Sequence, residues 1–394
     1  MNKIELLSPA GDLERLKVSI LYGADAIYLG GMNFSLRKRA SNFSINDIKE
    51  GVSFAHSQHK KVYVTMNMVP FEKDLLNLNE YIKELEEIKV DGVIVSSLGL
   101  IYKIKKISNL EIHYSTQGSS SNSRSINFLK KIGVSRVVLA RELTLDEVRE
   151  VAEKSSLELE VFIHGGMCMS YSGRCSLSNS FCLRDANRGG CAHSCRWLYS
   201  LCSEDDKVIN PEFSLESKDL CALESIKDLM SLNISSLKIE GRMKSAHYIA
   251  SIVSFYNTLI KDIQNGTVKT NSTYYDLVDK GENRQYWRGF LKENDLSKSL
   301  VFDKKDTPNQ IFVGIVRSYN ETLKLVQIET RNYFKINSYS EFLTPTGMVS
   351  FYLDKIYDSE MNEITESRHP NKIVYIRCDE KIPPFSFLRV LKNE

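Results

Sequence analysis

The sequence predicts an α/β chain, a TIM-barrel-like (β/α)8 domain followed by a small all-β barrel, and three observations predict it. Eight short β-branched or aromatic runs recur between residues 4 and 240, with helical patterns between them. The first seven start 18 to 36 residues apart, room for one helix and two loops, whereas the eighth starts 77 residues after the seventh. From Gln310 onward the helical patterns give way to short alternating strands separated by turn residues. Eight strand–helix units over about 260 residues is the rhythm of a closed barrel. A doubly wound open sheet shares that rhythm, because periodicity does not report closure.

The expected barrel strands are Ile4–Leu7, Ala26–Leu29, Val62–Thr65, Val93–Ser96, Glu111–Ser115, Arg136–Leu139, Leu159–His164 and Ser236–Glu240. Between them, Asp12–Tyr22, Ile45–Ser57, Leu75–Ile88, Ser121–Lys131 and Leu145–Glu153 read as amphipathic helices, and Lys244–Ile263 as the eighth. Thr144, with Glu147 three residues on, is a capping box. The long gap falls after strand seven, so the insertion at residues 165–235 lies on the C-terminal face, where barrel active sites sit. The barrel domain is expected over residues 1–263, a polar connector over 264–310 and the β-barrel domain over 311–394. In the last, Phe312–Arg317, Leu323–Ile328, Met348–Ile356, Ile373–Arg377 and Phe387–Leu391 read as strands.

Hydrophobic residues at 42% and charged residues at 26% are those of an ordinary folded chain and exclude disordered or fibrous classes. A formal charge of +2 is too small for the whole surface to act as a polyelectrolyte binder, so any basic site is local. The first residues have neither the basic nor the apolar run of a targeting segment, and no apolar run of about 18 residues occurs, so a cytoplasmic protein without a membrane span is expected. In that compartment thiols stay reduced, and the eight Cys read as ligands, nucleophiles or small hydrophobes rather than a disulfide frame.

Seven of those eight lie between Cys168 and Cys221. The run Cys168-x6-Cys175-x15-Cys191-x3-Cys195 sets four thiols in a stretch rich in Gly, Ser, Asn and Arg, where a small hydrophobe has nothing to pack against. Four thiolates suit tetrahedral zinc or an iron–sulfur cluster, and redox or catalytic Cys is the remaining reading.

Glu160-Val-Phe-Ile-His-Gly-Gly-Met-Cys168 through Gly173-Arg-Cys175, then Asn187-Arg-Gly-Gly-Cys191-Ala-His-Ser-Cys195-Arg-Trp197 and Ser236-Leu-Lys-Ile-Glu-Gly-Arg242, resemble the signature of the collagenase-like peptidase family of unassigned mechanism. The resemblance runs from Leu7-Ser-Pro-Ala-Gly-Asp12 to the β domain, and it departs at Gly166, where the signature has Ser or Ala. Within the family, the length and two-domain layout are similar to the tRNA hydroxylation branch, which makes 5-hydroxyuridine at the wobble position. The resemblance implies a [4Fe-4S] cluster on Cys168, Cys175, Cys191 and Cys195, and prephenate-dependent hydroxylation without oxygen. The Cys191-x3-Cys195 spacing matches that branch and favours Cys195 over Cys221 as the fourth ligand.

A peptidase needs an activated nucleophile or a metal-bound water. None of the seven His forms a His-Glu-x-x-His, and a Cys168–His164 pair is the remaining candidate. A third reading is an RNA-binding adaptor with a structural metal, zinc included. For tRNA as partner, Arg174, Arg184, Arg188 and Arg196 face the single acid Asp185 within residues 164–200, and Trp197 offers a stacking face. The domain from Ile311 carries 11 basic and 11 acidic residues and has no electrostatic footprint of its own. At the strand ends, Arg141 and Arg242 are candidate clamps for a dicarboxylate donor, with Ser115 and Gln117 beside them. His164 and Glu240 are the candidate acid–base groups. A protein partner is compatible with the sequence.

Overall fold

The computed structural model describes residues 4–36, 42–205, 207–281, 285–292, 296–301 and 310–391. Eight parallel strands close into a barrel: β1 (Glu5–Pro9), β2 (Ala26–Gly30), β3 (Lys61–Met66), β4 (Gly92–Val95), β5 (Glu111–Tyr114), β6 (Arg136–Val138), β7 (Glu158–Gly166) and β8 (Ser236–Ile239). Closure is carried by β8, which pairs with β1 at Leu6↔Leu237 and with β7 at Val161↔Leu237. The open-sheet alternative is thereby set aside.

The strands are apolar on both faces because helices cover the outside and side chains fill the inside. Several crossover helices start with a side-chain cap: Asp12 accepts from Arg15 N, Ser44 and Asp47 form a capping box, and Thr144 with Glu147 forms the expected one. Inside, the strands carry an ionic layer instead of a purely aliphatic plug. Arg136 Nη1 lies 2.5 Å from Glu5 and 3.4 Å from Glu160, and Lys238 Nζ lies 2.6 Å from Glu160. Burial alone would raise the Glu160 carboxyl, but the Lys238 and Arg136 charges outweigh it and hold the group below the usual carboxylate range.

The insertion after β7 contains the helix Leu177–Cys182, the hairpin Tyr199–Cys202/Val208–Phe213 and the strand Asp219–Cys221. That strand turns back antiparallel on the end of β7, Leu220 opposite Gly165, and ties the insertion to the barrel rim. A six-residue helix, Ile226–Ser231, then leads into β8. After β8 the helix Ala246–Asn265 covers the barrel. Part of the polar connector is more ordered than its composition announces. Asn271–Asp279 is a helix with Tyr274 and Val278 buried, and Tyr286–Trp287 adds a strand beside Asp219–Leu220.

The C-terminal unit is a separate eight-stranded antiparallel sheet that includes Gln310–Asn320, Leu325–Thr330, Ser338–Thr344, Gly347–Leu353, Ile373–Arg377 and Phe387–Leu391. Among the described residues no helix is long and apolar enough to cross a membrane.

Candidate active site

Two adjoining cavities open at the C-terminal mouth of the barrel. The outer one, about 500 Å³, lies under the insertion and is lined by Cys168, Cys175, Cys191 and Cys195, with Arg141 and Glu240 at its base. The inner one, about 90 Å³, sits in the barrel mouth and is lined by Ser115, Lys238 and Arg242 among others. Leu36, Gln117, Arg141 and Glu240 line both and form the shared wall.

Local backbone chemistry aims the cysteine loop. Gly173 has φ +71°, and a Cβ there would collide with the Gln117 carbonyl, so only glycine lets the loop press onto the turn after β5. Ser172 N and Oγ donate to Glu142 at 2.8 and 3.0 Å, which anchors the loop to the segment after β6. Burial, with the neighbouring Cys168 thiolate next, pushes Cys195 up to about 11, and burial likewise raises Cys175. The four thiols therefore share one electrostatic neighbourhood, although among the described residues no group of three or more His, Cys, Asp or Glu is gathered tightly enough to hold a single metal ion. Cys221 lies elsewhere: it is buried, with its sulfur 4.0 Å from Tyr256 Oη.

The remaining sequence candidates separate clearly. Arg141 Nη1 donates to Gly166 O at 2.9 Å, and the guanidinium lies 5.3 Å from the Phe162 ring centre. It does not pair with Glu142. Arg242 is buried and donates to Ser35 Oγ at 2.9 Å and Asn42 Oδ1 at 3.0 Å. Ser115, also buried, accepts from Gln117 N at 3.3 Å.

His164 is a correction. It is 1% exposed and lines neither cavity; its Nδ1 meets Tyr256 Oη at 3.2 Å on the helix Ala246–Asn265. The cause is an irregularity in the pairing, where Phe162 faces Lys238 but His164 faces Ile239, so one extra residue reverses the alternation and turns the imidazole outward. A direct acid–base role and a Cys168–His164 pair both lose their geometry. Glu240, lining both cavities, keeps the place expected of it.

Of the basic residues, Arg174 and Arg196 are exposed, with Arg196 Nε 3.7 Å from Glu216. Trp197 is exposed and 6.4 Å from Phe181. Arg184 has one guanidinium nitrogen buried without a hydrogen-bond partner among the described residues. Arg188 is a second correction: it pairs with Asp74 at 2.7 Å and lies 3.6 Å from the Phe71 ring centre, so it fastens the insertion to the segment after β3. The sequence reading missed Lys238, whose position inside an apolar strand was itself the available signal.

Residues 11–300 match the model of Peptidase family U32, and residues 308–389 match the Peptidase family U32 C-terminal domain. The tRNA hydroxylation protein P1 of Bacillus subtilis is 40% identical, over 98% of this chain and 94% of that one. The 23S rRNA 5-hydroxycytidine C2501 synthase of Escherichia coli is 37% identical, over 66% of this chain and 40% of that one. A collagenase of Porphyromonas gingivalis is 28% identical, over 84% of this chain and 83% of that one. On the family match across barrel and β domain, and on identity along nearly its whole length, this chain belongs to peptidase family U32.

Proposed function

We propose that the protein is an RNA hydroxylase that converts the wobble uridine of tRNA to 5-hydroxyuridine, with prephenate as donor and without molecular oxygen. The observation that carries this reading is the convergence of four cysteines, Arg141 and Glu240 on one cavity at the barrel mouth. Relatives named for hydroxylation of tRNA and rRNA support the substrate class.

Cys168, Cys175, Cys191 and Cys195 are the donor set a [4Fe-4S] cluster takes, and they face a common space. When bound, such a cluster supplies electron-transfer or Lewis-acid chemistry at the cavity wall. The chain's own groups do the rest. Arg141 and Arg242 orient the carboxylates of the donor at the strand ends, Ser115 and Gln117 add hydrogen bonds, and Glu240 moves a proton between the two cavities. Arg174 and Arg196 contact RNA phosphates, and the exposed Trp197 ring stacks on an unpaired base.

The peptidase reading rests on the family's name and on the collagenase relative. It lacks a base for a cysteine nucleophile at the expected position, since His164 faces the outer helix. Nucleoside analysis of tRNA from a deletion strain tests the assignment: loss of 5-hydroxyuridine-derived nucleosides is expected. Unchanged nucleosides, together with gelatin cleavage by the pure protein, would reverse it.

A further inference from the structure

The inner cavity is lined by a buried ammonium as well as by guanidinium groups. Lys238 on β8 is 4% exposed, and its ammonium lies 4.4 Å from the Tyr28 ring centre and 5.4 Å from that of Phe162. Among the described residues Glu160 is the acceptor it bonds. An ammonium has three N–H donors, so that bond leaves capacity toward the cavity the residue lines. Arg141 stands against the same Phe162 ring at 5.3 Å, and its buried Nε has no hydrogen-bond partner among the described residues. Glu160 does not depend on Lys238 alone, because Arg136 also reaches it at 3.4 Å. Two cations thus converge on one aromatic ring in a polar chamber, and a buried donor without an acceptor is a group that a ligand oxygen stabilises.

We propose that Lys238 and Arg141, packed against Phe162, form a carboxylate site at the floor of the inner cavity, with Lys238 donating to the deeper carboxylate of a small dianion. This rests on the reading that a dicarboxylate binds at the barrel mouth, and it makes Lys238 a specificity residue for that acid. The ring fills the apolar side of the site, so a compact acid with its two carboxylates on different edges fits better than an extended one.

The test uses the full chain, purified without air, in equilibrium dialysis with prephenate and with malonate, alongside filter binding of tRNA and an iron assay. Lys238→Gln removes the charge. Lys238→Gln combined with Glu160→Gln removes the pair together and leaves no buried carboxylate behind. Both variants are expected to bind prephenate about 10- to 150-fold more weakly, the cost of one charge-assisted hydrogen bond, with tRNA affinity and iron content unchanged. Prephenate affinity within twofold of the parent in the double variant overturns the site. So does a parallel loss of acid, tRNA and iron, which marks the pair as purely structural, and so does a parent that binds neither acid. If the parent binds malonate through Lys238 but does not bind prephenate, the carboxylate site stands and prephenate fails as the donor.

Discussion

Cys195 and Cys221 are both pushed up to about 11, chiefly by burial, yet they sit in different surroundings. Cys195 gains a further rise from the Cys168 thiolate across the outer cavity, whereas Cys221 is packed into the barrel's outer layer beside Tyr256. Replacing Cys168, Cys175, Cys191 or Cys195 by Ser is therefore expected to abolish iron and sulfide binding in anaerobically purified protein. Cys182→Ser, Cys202→Ser, Cys221→Ser and Cys378→Ser should retain both. Loss on Cys221→Ser with retention on Cys195→Ser would overturn the ligand set. That the four thiols line one cavity was legible in the sequence, because their spacing sets them all in one polar insertion at the barrel mouth. His164 was misread because strand-end position is a rule about regular strands, and one extra residue near Ile163 inverts which side chain faces the barrel. Lys238 was passed over because hydrophobic periodicity counts a single charge within a strand as noise.

The cysteine loop keeps its place through contacts with the segments after β3, β5 and β6, besides the short helix Leu177–Cys182 within it. Gly173 is where that docking is most exposed to change, since its left-handed backbone and the Gln117 carbonyl both exclude a side chain. Gly173→Ala is expected to cost roughly 1–3 kcal/mol locally, enough to lift the loop away from the barrel. Iron content and hydroxylation should fall together, while the far-UV melting curve, set by the barrel core, shifts by only a few degrees. A variant with full iron content would refute this. At this scale the barrel strands were legible because an apolar run between amphipathic helices has few other readings. The strand Ser338–Thr344 was not, because it carries Ser, Glu and Thr in its interior. Apart from Tyr339 it is nevertheless buried, with Glu341 bonded to Arg389 at 3.1 Å and to Lys280 at 3.0 Å, and no local pattern reveals partners so far along the chain.

Those same partners join the two domains, and the joint is where the molecule as a whole acquires a pH dependence. Arg389 from the β domain is 2% exposed; its Nε donates to His247 Nε2 at 2.7 Å on the barrel helix Ala246–Asn265, and its Nη1 lies 3.1 Å from Glu341. The His247 ring stacks on Phe312 at 4.7 Å, and Tyr22 Oη meets the Leu343 and Phe385 carbonyls nearby. Burial first, and the Arg389 charge second, push His247 well below its usual value, so in the folded protein the ring stays neutral and accepts the guanidinium. An unfolded chain protonates this histidine near pH 6.5. Below that pH the unfolded state binds a proton that the folded state refuses, and stability falls as pH falls, by up to about 1.4 kcal/mol per unit. Above about pH 7 the group contributes no slope. His247→Gln offers a neutral acceptor that takes up no proton, so urea unfolding of the full chain at pH 7.5 and 5.5 separates the effect. The parent should lose about 1.4 kcal/mol more than the variant between the two values. Equal losses would mean that His247 takes up its proton in the folded state and that the domain joint opens to admit it.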